Sequence, residues 1–303
     1  MPSKTKGGLV AKICKYKECY LMMLPYTLLF AVFIILPVAV AFVFSFTDFN
    51  MLQAPSFVGL DNYLRLFLED DVFLIAVKNT LIFAVVTGPV SYFACLIFAW
   101  LINELPRIPR SILTFVFYAP SMSGMLYVMW SFIFSGDTYG LLNSLLIKLS
   151  FIDEPVQWLT DSKTVLGVII LVQIWMSLGT SFLSFIAGLQ NVDRQLYEAA
   201  AVDGVKNRFQ ELIYVTLPSM GPQLMFSAVM QIGAAFAVSD ICMNLAGFPS
   251  TDNAALTVVT HIYDHGNIRF EMGYACAVSV ILFIVVMKFN DFVQKFISKR
   301  ADT

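Results

Sequence analysis

The sequence has 303 residues, of which 58% are hydrophobic and only 13% charged, and its mean hydropathy is +0.76. Soluble domains keep roughly a quarter of their residues charged, so this composition excludes an ordinary water-soluble protein. The net charge of −2 excludes the usual nucleic-acid partner, because nucleic-acid binders carry a basic patch.

Six charge-free apolar stretches follow one another along the chain, and a bilayer span needs about 20 such residues. The last stretch is short, but its flanking Glu271 and Lys288 can reach the membrane interfaces. We therefore predict an all-α integral membrane protein whose residues 19–292 cross the bilayer six times. The predicted spans are 21–45, 79–103, 111–134, 164–188, 214–239 and 271–292.

The first span is too long for a cleaved signal peptide, whose apolar core has about 7–15 residues. Of the 19 lysines and arginines, 14 fall in the N-terminal tail (1–18), the loops after spans 2 and 4, and the segment that includes the C-terminal tail (293–303). The positive-inside rule then places both termini in the cytoplasm. The acidic run 69–71 falls outside, where we predict a solvated surface.

Two features modify the simple picture of six straight spans. Four prolines lie inside the predicted spans and favour bends, because each removes a backbone hydrogen bond. In the loop after span 3, four leucines between Leu141 and Leu149 share one face of a short helix, with Asn143 on the other face. This pattern predicts a helix that lies on the outer membrane surface. The four prolines are Pro25, Pro37, Pro89 and Pro120.

The sequence gives no sign of a metal site or an enzyme. The five cysteines are odd in number and contain no CxxC pair, so neither a disulfide framework nor a zinc site follows. His261 and His265 have no matching ligand cluster along the sequence. Paired carboxylates and a nucleophile–base set are missing, and without a GxxxxGK[ST] phosphate loop the chain cannot hydrolyse ATP by the usual route.

The cytoplasmic loop between spans 4 and 5, residues 191–211, is the most informative segment. Asp193 can cap a helix at its N-terminus, and Gly204 can end that helix in the left-handed conformation. Three alanines beginning at Ala199 form a small-residue patch between these ends. Such a helix fits a cleft on another protein. The alternative is a loop helix packed against its own chain.

The run from Glu198 to Gly204 reads Glu-Ala-Ala-Ala-Val-Asp-Gly, and together with Leu217-Pro218 it resembles the EAA signature of bacterial ABC importer permeases. After span 5, Asp240 matches the pattern of that family but most of the following turn does not. Further runs resemble its carbohydrate branch, which includes maltose- and glycerol-phosphate-type permeases. These runs are Phe57–Tyr63, Lys78–Leu81, Tyr139–Asn143, Gly188–Gln190 and Gly273–Ala275.

The resemblance implies a six-helix importer permease in the bacterial cytoplasmic membrane, surrounded by lipid, that translocates a sugar or oligosaccharide. Its implied partners are a second, different permease chain, two ATPase subunits and an extracytoplasmic binding protein. ATP and Mg²⁺ would bind the ATPase subunits, and no cofactor would bind this chain. The helix at about 193–204 would be the coupling helix that seats on the ATPase. The coupling residues implied are Glu198, Ala199, Ala200, Asp203, Gly204, Leu217 and Pro218.

A polar stripe in span 4 suggests a substrate path. Its members recur at helical spacing on one face: Gln173, Ser177, Thr180 and Ser184. Gln231 of span 5 lies at the same depth as Gln173, because each is about 8 Å outward of mid-membrane at 1.5 Å per residue. Two amides could bond sugar hydroxyls, and Trp175 could pack on a sugar ring. The predicted path residues are Gln173, Trp175, Ser177, Gln231 and Asp240. Ordinary packing, with Ser, Thr and Gln bonded across helices, is the alternative.

Two other transport functions compete with this interpretation. A secondary transporter would bury ionisable residues at mid-membrane, yet the first five apolar stretches contain no Asp, Glu, Lys or Arg. An ABC importer permease for an amino acid or a peptide stays open, because the coupling segment does not identify the solute.

Overall fold

A computed structural model describes residues 16–122, 124 and 126–301. The described chain is built from α-helices, as the sequence predicted. In chain order they are α1 (Lys17–Phe44), α2 (Asp61–Leu68), α3 (Asp71–Asn103), α4 (Arg107–Met122), α5 (Leu126–Ile133), α6 (Leu141–Lys148), α7 (Val165–Met176), α8 (Thr180–Asn191), α9 (Arg194–Val202), α10 (Arg208–Ser219), α11 (Gly221–Phe236), α12 (Asp240–Ala246), α13 (Val258–Tyr263) and α14 (Met272–Ala301).

Among the described residues, length and composition give four candidate membrane spans, or up to six if each bent pair of helices counts as one span. Four are α1, α3, the pair α7–α8 and α14. Two more are bent pairs, α4 with α5 at 89° and α10 with α11 at 84°. Of the predicted tails, residues 1–15 and 302–303 lie outside the described residues, and the rest of 293–303 continues α14 to Ala301.

The prolines bend some spans and leave others intact. Pro25 and Pro89 lie inside helices that run on past them, whereas α4 ends two residues after Pro120, where the 89° bend begins. A π-helical turn ends two residues before Pro37, and another ends two residues before Pro218. Proline has no backbone N–H, so the helix loses one hydrogen bond, and the wider π-helical turn accommodates this loss.

Helix α3 is the central element of the core. Towards its C-terminal end, Cys95 packs with Phe182 and Phe185 of α8, and all three are fully inaccessible. Towards its N-terminal end, Phe83 packs in a second cluster that contains Val172 of α7. Helix α1 differs sharply, because no residue of its apolar window is buried in this chain.

Span 4 is broken rather than continuous. Helix α7 ends at Met176 and α8 begins at Thr180, with Gly179 between them at φ −125° and ψ −124°. The predicted polar stripe therefore does not share one helical face, and that part of the prediction is wrong. Ser181 of α8 and Ser227 of α11 instead exchange hydroxyl-to-carbonyl hydrogen bonds at 3.3 and 3.4 Å. These buried serines hold the two spans together.

Helix α6 forms where the leucine pattern predicted a helix, but Asn143 does not face water. Its side chain is fully inaccessible. Its Nδ2 donates to the carbonyls of Ser135 and Val156 at 3.2 and 3.1 Å, and its Oδ1 accepts from Trp158 Nε1 at 2.8 Å. Asn143 thus links two parts of the loop to each other. Helical periodicity could not predict these partners, because they lie outside the helix.

Candidate coupling helix and polar clusters

Helix α9 is capped at both ends. Asp193 Oδ1 accepts from the Gln195 amide at 3.0 Å. At the other end Gly204 has φ 96°, and the amides of Gly204 and Val205 donate to carbonyls of the last helical turn at 3.3 and 3.0 Å. This pair of bonds is a Schellman ending. It fixes the direction in which the chain leaves the helix.

The surface of α9 is open to its surroundings, and none of its residues is buried. Val202 exposes 88% of its surface and Leu196 exposes 46%. A loop helix packed against its own chain would cover such apolar side chains, so this arrangement differs from that alternative. The predicted coupling residues on this segment are exposed or half-buried: Glu198, Ala199, Ala200, Asp203 and Gly204.

One side chain ties α9 to span 5. The hydroxyl of Tyr197 lies 2.9 Å from Thr216 Oγ1 in the π-helical turn of α10. Thr216 is buried and donates to the Glu211 carbonyl at 3.2 Å. Leu217 and Pro218 follow directly, just before the 84° bend. Tyr197 therefore joins α9 to the part of span 5 that changes direction.

The structure brings together two of the predicted substrate-path residues. Gln231 is 5% exposed, and its Nε2 donates to the Ser177 carbonyl at 3.3 Å, at the break in span 4. Trp175 is 36% exposed and packs edge-on against a tryptophan of α5, with ring centroids 5.2 Å apart. Gln173 is half-buried and Asp240 is exposed.

A cavity of about 760 Å³ opens between α3, α11 and α14. Most of its lining is apolar, including Phe236 and Phe289. Gln231 reaches its wall, and so do Leu217 and Pro218. The cavity therefore connects the bend of span 5 with the buried amide.

A loop cap, defined here as residues 45–80 together with 250–275, contains several of the runs that resemble the carbohydrate branch. Asn62 Nδ2 donates to two carbonyls just past the end of α1 at 2.9 Å each. Asn79 Nδ2 donates to three carbonyls within 253–256 at 2.9–3.2 Å. A Cβ on Gly273 would overlap the Thr47 carbonyl oxygen. These motif residues hold the cap together.

Asp70 belongs to the acidic run that we predicted to be solvated, yet its side chain is only 12% exposed. Its Oδ1 caps α3 by accepting from the Phe73 amide at 2.9 Å. Its Oδ2 accepts from the Tyr274 hydroxyl and lies 3.0 Å from Nε2 of His261. Burial raises the pKa of this carboxyl, but the hydrogen bonds and the nearby imidazole outweigh burial and leave the pKa below its ordinary value.

The two histidines lie side by side in the same cap. Their ring centroids are 4.5 Å apart, and they expose 2% and 3% of their surfaces. His265 Nδ1 lies 2.7 Å from Glu271 Oε2, which also accepts from Arg65 at 3.0 Å. Burial lowers the pKa of His261 against the opposing charge of Asp70. The cluster could not be recognised in the sequence because Asp70 and His261 are 191 residues apart.

Comparisons with known proteins assign the chain to a family. Residues 92–303 match the family described as binding-protein-dependent transport system inner membrane component. The chain is 32% identical to the arabinooligosaccharides transport system permease protein AraP of Bacillus subtilis, over 88% of this chain and 84% of that protein. It is 30% identical to the lactose transport system permease protein LacF of Rhizobium radiobacter, over 90% and 92%.

A solved structure shares the fold. It comes from a bacterial alginate ABC transporter in complex with an alginate pentasaccharide-bound periplasmic protein, with a TM-score of 0.77 and 23% identity. The match covers 97% of this chain and 99% of that one, which confirms the predicted importer permease fold. The family match over residues 92–303 and the two relatives show that the chain belongs to the family of inner-membrane components of binding-protein-dependent transport systems.

Proposed function

We propose that the chain is a permease subunit of an ATP-binding-cassette importer that moves a sugar or an oligosaccharide across the cytoplasmic membrane. The observation that carries the proposal is α9, an exposed helix with a fixed end that is tied through Tyr197 to span 5. The sugar class is supported by relatives whose names specify arabinooligosaccharides and lactose.

The ATPase is a separate subunit that holds ATP and Mg²⁺. Helix α9 seats in a groove on that subunit, and the exposed Val202 and Ala199 supply the contact surface. Closure of the ATPase dimer moves α9 as a rigid body, because the Schellman ending and the Tyr197–Thr216 bond restrain it. The bend of span 5 then shifts between two packings, which alternates access to the path.

A second permease chain of different sequence completes the pore, and an extracytoplasmic protein delivers the substrate to the loop cap. Both termini lie in the cytoplasm in this arrangement, so Asp61 of the cap faces outside. An Asp61→Cys variant tests the orientation, because Asp61 is exposed. We expect a membrane-impermeant thiol reagent to label it from the outer side, in a chain whose Cys14 and exposed Cys19 are both replaced by serine. Labelling from the cytoplasmic side alone contradicts this orientation.

The substrate path passes the break in span 4. Gln231 is anchored on Ser177 and reaches the cavity wall. Trp175 leaves part of its ring open, which suits packing on the apolar face of a sugar. Gln173 and Asp240 complete the set that we propose to contact substrate on its way through the subunit.

Transport in reconstituted vesicles tests the function. The chain is combined with its cognate permease partner, ATPase and binding protein, and uptake of labelled arabinooligosaccharide and lactose is compared with uptake of amino acids and dipeptides. We expect sugar uptake only when ATP and the binding protein are both present. Peptide or amino-acid uptake in place of sugar uptake would replace the substrate class. Uptake driven by an ion gradient without ATP would overturn the importer itself.

A further inference from the structure

We propose that Asp70, His261 and His265 form a binding site for one divalent transition-metal ion of the zinc type. One ligand atom from each side chain can be chosen so that all three lie within 4.8 Å of one another. Two imidazole nitrogens and one carboxylate oxygen make up the ligand set of zinc sites that keep a fourth position for water. This site lies in the loop cap, away from α9 and from the cavity.

The placement of the histidines points to a shared ligand. They are the only two histidines in the sequence. They lie four residues apart, one in α13 and one in the π-helical turn Asp264–Ile268, so they project from one face. Both rings are almost fully buried and neighbour each other at 4.5 Å. Paired histidines at this helical spacing are a common source of metal ligands.

One edge of the coordination shell already has nearly the required length. Zinc bonds of about 2.0–2.1 Å in a tetrahedron place the ligand atoms about 3.3 Å apart. His261 Nε2 and Asp70 Oδ2 are 3.0 Å apart, so an ion can take the place of the proton between them. One ring nitrogen of His265 lies within 4.8 Å of the other two ligand atoms, so a shift of roughly 1.5 Å lets it close the third corner.

The groups around the three ligands orient them in the way that metal sites require. Glu271 lies 2.7 Å from Nδ1 of His265, which favours the proton on Nδ1 and leaves the lone pair of Nε2 for the ion. Arg65 holds that carboxylate at 3.0 Å and lies over the Tyr274 ring, 4.4 Å from its centroid. The Tyr274 hydroxyl in turn donates to Asp70.

A metal ion at this position would join the start of α3 to α13 and so clamp the loop cap. Binding of Zn²⁺ to the purified full chain in detergent tests this. The background carries Cys14→Ser and Cys19→Ser, because Cys19 is exposed and thiolates also bind zinc. We expect one Zn²⁺ per chain, measured by elemental mass spectrometry, and an affinity obtained by competition with a chromophoric chelator.

Variants separate the site from adventitious binding. We expect His261→Gln with His265→Gln to weaken Zn²⁺ binding by more than about 100-fold, and Glu271→Gln to weaken it by about 10–100-fold. The matched control is Asp71→Asn, which removes the exposed carboxylate next to Asp70 and should bind Zn²⁺ like the parent. Equal affinity in the parent and the double-histidine variant would overturn the proposal.

A second measurement does not depend on a variant that folds. Zinc-edge X-ray absorption of the parent chain should show two imidazole nitrogens at about 2.0–2.1 Å. A first shell without imidazole overturns the site.

Thermal melts compare two variants. Zn²⁺ should raise the Tm of Asp71→Asn but not of Asp70→Asn, in which an asparagine oxygen can still cap α3. The same shift in both variants would exclude Asp70 as a ligand.

Discussion

The loop cap and α9 differ in how far their side chains are bonded and buried within the chain. In the cap, Asn79 donates to three carbonyls, and Asp70 accepts from an amide and a hydroxyl of the same chain. In α9 no residue is buried, and Val202 exposes 88% of its surface. The cap is therefore held in its conformation by bonds within the chain itself, whereas α9 presents an exposed surface, which we propose the ATPase subunit covers.

The largest effect is expected from a substitution in the cap. Gly273→Ala places a Cβ on the Thr47 carbonyl oxygen, while the Gly273 amide donates to Phe49 at 2.9 Å. Overpacking against fixed backbone costs about 3 kcal/mol, so we expect little folded protein and a much lower Tm in detergent. Gly167→Ala is the control, because nothing lies within 4 Å of its added Cβ. Equal Tm values for the two variants would show that the cap is not tightly closed.

At the end of α9, Gly204→Val should abolish transport without preventing insertion of the chain into the membrane. Nothing lies within 4 Å of a Cβ at Gly204, so its φ of 96° is the only source of strain, about 1–2 kcal/mol. The helix then loses its exit direction. Substrate-stimulated ATPase activity of the assembled complex measures the effect. Gly204→Asn should retain activity, since asparagine tolerates this conformation. Normal stimulation in Gly204→Val contradicts the role of α9.

A smaller effect is expected for Gln231, which belongs neither to the loop cap nor to α9. Gln231→Leu should reduce uptake strongly and leave basal ATPase activity and assembly intact. The Ser177 carbonyl still accepts from the Gly179 amide at 2.8 Å, so the break in span 4 keeps its support. A double variant, Gln173→Leu with Gln231→Leu, should lower uptake further. Unchanged uptake of every tested sugar in the double variant would show that these amides only pack helices.

The smallest effect belongs to Glu198→Ala on the exposed surface of α9. An exposed ion pair contributes about 0.2–1 kcal/mol, so we expect retention of the ATPase during co-purification to fall by about 1.4-fold to fivefold. Glu154→Ala, an exposed carboxylate in the loop that follows α6, is the control. If both variants retain the ATPase equally at low salt, where an exposed ion pair is least screened, Glu198 is an ordinary solvated side chain.

The sequence predicted the features whose partners are close along the chain. Charge-free stretches predicted apolar helices, because hydropathy is a local property, and the candidate spans among the described residues overlap those stretches. Asp193 and Gly204 were identified as helix ends, since their hydrogen-bond partners lie within five residues. The EAA run lies in this local segment, and the comparisons confirm the family resemblance that it carried.

The sequence could not predict features that depend on distant partners or on backbone geometry. Asp70 looked like a solvated carboxylate because its imidazole partner is 191 residues away. The helical spacing of Asn143 predicts a side chain that faces water. Its hydrogen bonds to loop carbonyls hold it in a buried position instead. The break at Gly179 leaves the hydropathy of span 4 unchanged, so a scan for apolar residues passes over it.

The side-chain amide of Asn79 bonds to carbonyls that are synthesised much later than Asn79 itself. Its three acceptors lie 174, 175 and 177 residues further along the sequence. At about 5–20 residues per second, the ribosome needs roughly 9–35 s to make that stretch. The part of α3 that carries Asn79 is therefore synthesised well before its three acceptors, and the side-chain amide bonds to all of them only after residue 256 has been made. A nascent chain that stalls before residue 253 holds an unfinished cap.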